Sequence, residues 1–125
     1  MYFKNINSNK NLKALVTAGP TQEYIDPVRY ISNRSSGKQG YEIAKSLNEN
    51  GFDTTLISGP TQLPYPTNVK TIQVNSAREM YDLTMKSLPV DVAVFSAAVS
   101  DYKVKETNKQ KIKKKDLVNL QLEKI

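Results

Sequence analysis

The stretch Leu12-Lys13-Ala14-Leu15-Val16-Thr17-Ala18-Gly19-Pro20 decides the fold. A short, mostly apolar run breaks off at Ala-Gly-Pro, the pattern of a buried strand stopped by a turn. The pattern recurs at 52–58 (FDTTLIS), which ends at Gly59-Pro60. Segments 69–74 (VKTIQV) and 90–98 (VDVAVFSAA) read as a third and a fourth strand, the fourth being the most continuously apolar stretch of the chain. Between the first two strands, Gly40, Ile43, Ala44 and Leu47 recur at i, i+3, i+4 and i+7, predicting a helix over 37–50 with Gly51 as its C′ residue. A second helix opens at the capping box Ser76-Ala77-Arg78-Glu79. It places Ala77, Met80, Tyr81, Thr84 and Leu88 on one face and ends before Pro89. Strand, helix, strand, strand, helix, strand with near-continuous apolar strands predicts an α/β fold: a Rossmann-like, mostly parallel sheet with helices on both faces.

In such sheets ligands bind outside the carboxyl ends of the strands. The loops there are 19–35, 59–68 and the segment after Ala98. The first carries the polar stretch Ile31-Ser32-Asn33-Arg34-Ser35-Ser36-Gly37-Lys38. Ser36-Gly37-Lys38-Gln39 fits a capping box, so a helix start is expected there, with free amides and a partial positive charge that favour an anion. Arg29, Arg34 and Lys38 add formal charge. The same stretch also reads as an ordinary capped helix in a polar loop.

Composition narrows the chemistry. The chain has 125 residues, 38% hydrophobic and 24% charged, enough for one domain with one core. No apolar run approaches the roughly 20 residues of a membrane helix. There is no cysteine and no histidine, which excludes a thiol nucleophile and any zinc site or triad built on imidazole. A cytoplasmic location is the default expectation. Net charge is +6, concentrated in Lys103, Lys105, Lys109, Lys111, Lys113, Lys114 and Lys115. Such a run is a solvated face or a holder of anions. Only Phe95 and Tyr102 lie near it as stacking partners, which argues against nucleic acid.

After Ala98 the period changes. Val118, Leu120 and Leu122 alternate with polar residues, the pattern of a half-buried antiparallel strand, with Lys111-Ile112-Lys113 as its expected hairpin partner. A two-stranded ribbon is marginal in water and needs something to pack on. The dinucleotide fingerprint and the P-loop are both absent. The helix start, the Gly-Pro turns and the lysine run nonetheless converge on one edge and suggest a strongly anionic ligand such as a nucleoside triphosphate.

Six motifs then stand in order: Val16-Thr-Ala-Gly-Pro-Thr21, Ile25-Asp-Pro-Val-Arg29, Ile31-Ser-Asn-Arg-Ser-Ser-Gly-Lys38, Ser58-Gly-Pro-Thr61, Ala97-Ala-Val-Ser-Asp-Tyr102 and Lys111-Ile-Lys-Lys114. This set resembles phosphopantothenoylcysteine synthetase, usually the C-terminal half of the bifunctional coenzyme A biosynthesis flavoprotein. The resemblance implies a ligase in which the carboxylate of 4′-phosphopantothenate attacks the α-phosphate of CTP and cysteine then displaces CMP. It gives Asn33 a role in the acyl-cytidylate step, implicates Arg29, and assigns Lys111 to the nucleotide. The expected nucleotide-binding set is Gly19, Ser35, Gly37, Gly59, Ala97, Asp101 and Lys113. Asp101 is also the candidate Mg²⁺ ligand, or an acceptor for a nucleotide group; both roles stay open.

Plainer roles stand beside these. Asn33 fits a turn cap, Lys111 a solvated lysine and Asp101 an Asx turn. Gly19 and Gly59 fit turn geometry, and Arg34 an ion pair within its own loop. The family resemblance also implies a homodimer, small-molecule substrates (CTP, 4′-phosphopantothenate, cysteine), and no FMN in this part of the architecture. By this reading residues 1–11 are a flexible arm and 12–125 the N-terminal part of a synthetase domain, with 102–125 as ribbon and dimerisation segment. The absence of a closing element at Ile125 is expected to reflect truncation. The alternative expectation is a non-catalytic dimerising or nucleotide-binding remnant.

Overall fold

The computed structural model describes residues 12–114 and 119–125; the expected arm (1–11), Lys115 and Val118 lie outside them. Four strands, β1 (Lys13–Ala18), β4 (Asp53–Ser58), β5 (Lys70–Gln73) and β6 (Val92–Phe95), form a parallel sheet in the order β5-β4-β1-β6. Helix α1 (Lys38–Glu49) and helix α2 (Ala77–Ser87) cover its opposite faces. The alternation of β1 explains why: Ala14, Val16 and Ala18 pack with Tyr41, Ala44 and Leu47 of α1, and Leu15 packs with Met80 of α2. Leu15, Val16, Leu56 and Ile57 are fully buried, each contributing about 1.5–3 kcal/mol by burial. This is the Rossmann-like arrangement expected.

The helix ends follow local chemistry. At the C-terminus of α1, the Phe52 amide donates to Leu47 O and the Gly51 amide to Asn48 O, both at 3.1 Å, with Gly51 at φ 91°. This is a Schellman closure that needs a left-handed residue. The capping box of α2 forms as predicted, with Ser76 Oγ accepting the Glu79 amide at 3.1 Å and Glu79 Oε1 accepting the Ser76 amide at 3.2 Å. The one expected at Ser36–Gln39 does not form. Gly37, at φ 79°, is the N-cap of α1 and provides no side chain. Ser35 and Ser36 instead accept the amides of Gly37 and Lys38, each two positions on and at 3.2 Å.

Several expectations are corrected by position in the sheet. The fourth strand is an edge strand, so its α2-side face is bare and Phe95 is 67% exposed despite the apolar run. Along α2, Leu83 replaces Tyr81 and Leu88 on the inner face; those two are exposed. The loop 19–35 folds into an antiparallel hairpin, β2 (Gln22–Tyr24) and β3 (Tyr30–Ser32). The terminal strand β8 (Leu122–Lys124) pairs antiparallel with β7 (Tyr102–Val104), not with 111–113. Leu120 and Leu122 of the expected buried face are exposed. The ribbon finds its support on the hairpin: the Asn108 amide donates to Ile25 O at 2.9 Å and Thr107 Oγ1 to Tyr24 O at 3.3 Å.

Candidate functional site

The chain leaves β1 toward one face and reaches β6 from the other, so a switch point lies between these neighbours. Past the strand ends the two segments stay together. The Ala98 amide donates to Gly19 O at 2.8 Å and the buried Ser100 donates its amide to Thr21 Oγ1 at 3.0 Å. The crevice floor is thus closed, and a ligand would sit above it.

Three glycines build that floor. A Cβ on Gly59 would stand 1.6 Å from Pro20 O, and one on Gly37 would stand 2.9 Å from Thr61 Cγ2 and 3.4 Å from Gly19 Cα. Gly19 also has φ 79°. Backbone approach of this closeness, plus two left-handed dihedrals, accounts for glycine at all three positions. The first turn of α1 rests on this cluster with no acidic residue and a glycine as N-cap, its Lys38 amide going to Ser36 Oγ. Asn33 lies alongside: its Nδ2 donates to Val99 O at 3.0 Å, fastening β3's end to the segment that carries Ala97 and the exposed Asp101.

A second group sits at the hairpin tip. Asp26 is fully enclosed. Its Oδ1 accepts the amides of Val28 and Arg29, both at 2.8 Å. Its Oδ2 accepts Arg29 Nη1 at 2.6 Å and the Ile112 amide at 2.9 Å. Arg29 Nη1 also donates to Ile112 O at 3.2 Å. Enclosure alone would raise the Asp26 carboxyl, but the hydrogen bonds from Ile112, Val28 and Arg29 outweigh it and hold the group well below the usual carboxylate range. Arg29, Lys111, Ile112, Lys113 and Lys114 line one shallow pocket.

The structure therefore sorts the sequence candidates into two groups. Gly19, Asn33, Ser35, Gly37, Gly59, Ala97 and Asp101 gather toward the carboxyl edge; Arg29, Lys111 and Lys113 gather at the hairpin tip. Arg29 and Asn33 flank β3 at opposite ends, their Cα atoms roughly 13 Å apart at strand spacing. Arg34 forms no ion pair among the described residues; Arg29 takes the carboxylate of this loop. Sequence reasoning passed over Asp26 itself and the buried Glu23, whose Oε2 accepts the Ala77 amide at 3.0 Å. The signal for Asp26 was its place before Pro27, a turn-forming Asp-Pro pair; nothing local pointed to Glu23. Among the described residues no three acidic side chains cluster as a metal cage.

Residues 9–125 match the family described as DNA/pantothenate metabolism flavoprotein C-terminal domain. The chain is 52% identical over 103 residues to the coenzyme A biosynthesis bifunctional protein CoaBC of Vibrio vulnificus, covering 82% of this chain and 26% of that protein. It is 44% identical over 114 residues to CoaBC of Escherichia coli, covering 90% and 28%. The chain thus spans about a quarter of the length of the curated relatives it matches. Among solved structures, the C-terminal domain of CoaBC aligns at TM-score 0.80 and 40% identity, over 96% of this chain and 57% of that one. The DNA/pantothenate metabolism flavoprotein of Streptococcus pneumoniae aligns at TM-score 0.72 and 29% identity, over 91% and 60%.

Proposed function

The chain belongs to the family of DNA/pantothenate metabolism flavoprotein C-terminal domains, and from that premise we propose that it serves a phosphopantothenate–cysteine ligase in coenzyme A biosynthesis. The observation that carries this reading is the pocket where Arg29 meets Lys111, Lys113 and Lys114, on a chain whose relatives are named for coenzyme A biosynthesis.

In the proposed reaction a carboxylate oxygen of 4′-phosphopantothenate attacks the α-phosphorus of CTP and pyrophosphate leaves. The cysteine amine then attacks the acyl carbon, an amide forms, and CMP leaves with loss of the amine proton. Such chemistry needs positioning and charge stabilisation more than a strong base, which suits a chain without histidine or cysteine. Lys111 and Lys113 offer mobile point charges to triphosphate oxygens. Asn33 keeps one N–H beyond its bond to Val99 for a developing oxyanion. The first turn of α1, which carries no acidic residue, with Ser35 and Gly37 before it, favours an anionic group, and Gly19, Gly59 and Ala97 shape the floor beneath. Asp101 is the residue that would hold Mg²⁺, which when bound would supply charge neutralisation to a phosphate group. The separation of Arg29 from Asn33 suits an extended substrate pair lying along the hairpin.

Exposed Tyr24, Tyr30, Tyr102 and Leu122 on the hairpin and ribbon support a homodimer through this lobe. No helix among the described residues is long and apolar enough to cross a membrane, and a cytoplasmic location belongs to the same proposal. The test is incubation with CTP, MgCl₂ and 4′-phosphopantothenate, without cysteine. Mass spectrometry should find the acyl-cytidylate, and adding cysteine should convert it to the amide and CMP. CTP consumption independent of 4′-phosphopantothenate would defeat the proposal.

A further inference from the structure

Asp26 and Ile112 are 86 positions apart, yet Ile112 is clamped on both sides of its Cα: its N–H donates to Asp26 Oδ2 and its C=O accepts from Arg29 Nη1. Both carboxylate oxygens of Asp26 are occupied, three bonds coming from its own turn and one, from the Ile112 amide, reaching outward. Arg29 is held at Nη1, but its side chain keeps 41% exposure, so the guanidinium is both fixed and reachable. Lys111, Lys113 and Lys114 flank the clamped residue on a segment that belongs to no strand.

We infer that Asp26 is a positioning residue: its enclosed carboxylate latches the lysine segment onto the hairpin tip, so that Arg29, Lys111, Lys113 and Lys114 form one cationic face. Without it, four like charges would have to converge with nothing between them, and a short segment outside the sheet would lose its attachment. The carboxylate touches no ligand. It offsets one positive charge from beneath and fixes the direction of the others. The ligand class is a linear polyphosphate, an identification that rests on the ligase reading; the latch itself rests on the contacts alone.

The test uses inorganic tripolyphosphate as probe and trypsin as reporter of the segment. Asp26→Asn puts an amide N–H against two donors. It should speed cleavage after Lys113 or Lys114 at least tenfold and weaken tripolyphosphate binding at least tenfold, with helical circular dichroism unchanged. Because Asp26 is enclosed, Ile112→Pro serves as the second variant, with Ile112→Ala as its control for the lost side chain: proline removes the donated N–H and fixes φ on a peripheral segment, and should give the same two changes where alanine does not. Cleavage at the wild-type rate in folded Asp26→Asn, or in Ile112→Pro, overturns the latch, whatever happens to binding. If both variants speed cleavage but the wild type binds no tripolyphosphate, the latch stands and the ligase reading loses its anion site.

Discussion

Glu23 closes the start of α2 from another element: its Oε2 accepts the Ala77 amide at 3.0 Å, and the neighbouring Gln22 amide donates to Asn75 O at 2.6 Å. The first turn of α2 is therefore held twice, by its own Ser76–Glu79 box and by the hairpin. Removing a buried acceptor leaves an amide of the helix start unpaired. Glu23→Ala is expected to cost about 1–2 kcal/mol, a Tm fall of roughly 4–8 °C. Glu23→Gln, which retains an acceptor oxygen, should lose clearly less. Thermal denaturation of the three proteins checks this.

The two serine–acid or serine–amide boxes in the sequence should behave differently. Ser76→Ala removes an observed cap and is expected to cost about 1 kcal/mol. Ser36→Ala removes only an exposed hydroxyl on the Lys38 amide and should stay within about 0.5 kcal/mol of wild type. Urea unfolding midpoints compare them directly.

Much of the sheet was legible because periodicity reports burial. The runs at 12–18 and 52–58 became central strands, and Gly40, Ala44 and Leu47 took the inner face of α1. What was not legible came from long-range pairing. Nothing near Phe95 says that, among the described residues, β6 has no neighbour on its outer side. Nothing in 111–113 says that 102–104 will take the terminal strand instead. At the site, the resemblance brought Arg29 and Asn33 into one account, but their separation followed only from the hairpin, which the prolines at 20 and 27 disguised as loop. Gly37 overrode the Ser36 box because a left-handed residue at the helix entry leaves the serine side chains serving nearer amides.

Glycine substitutions separate strain from collision. Gly51 at φ 91° faces open space, so Gly51→Ala should cost about 1–2 kcal/mol, the left-handed penalty alone. Gly59→Ala would drive a methyl into Pro20 O and force two loops of the crevice floor apart. A loss above about 4 kcal/mol, or failure to fold, is expected. Denaturant unfolding and soluble yield read the difference.

Asp26 sets a pH dependence of definite sign. Its carboxyl titrates lower in the folded chain than in the unfolded one. Its contribution is therefore fully present above about pH 4, the ordinary aspartate range, and is lost as pH falls below that. Wild type should exceed Asp26→Asn in stability at pH 7, and the gap should shrink steadily between pH 4 and pH 2. A gap that is constant across this range would show that the charge is not what matters.

In the proposed ligase, the lysine segment beside Arg29 holds the triphosphate of the activating nucleotide. Calorimetry with CTP and Mg²⁺ tests it most directly, wild type against Lys111→Ala. Loss of one charge-assisted contact should weaken binding roughly ten- to hundredfold. Equal affinity in the two proteins, or no binding by the wild type, would contradict the claim.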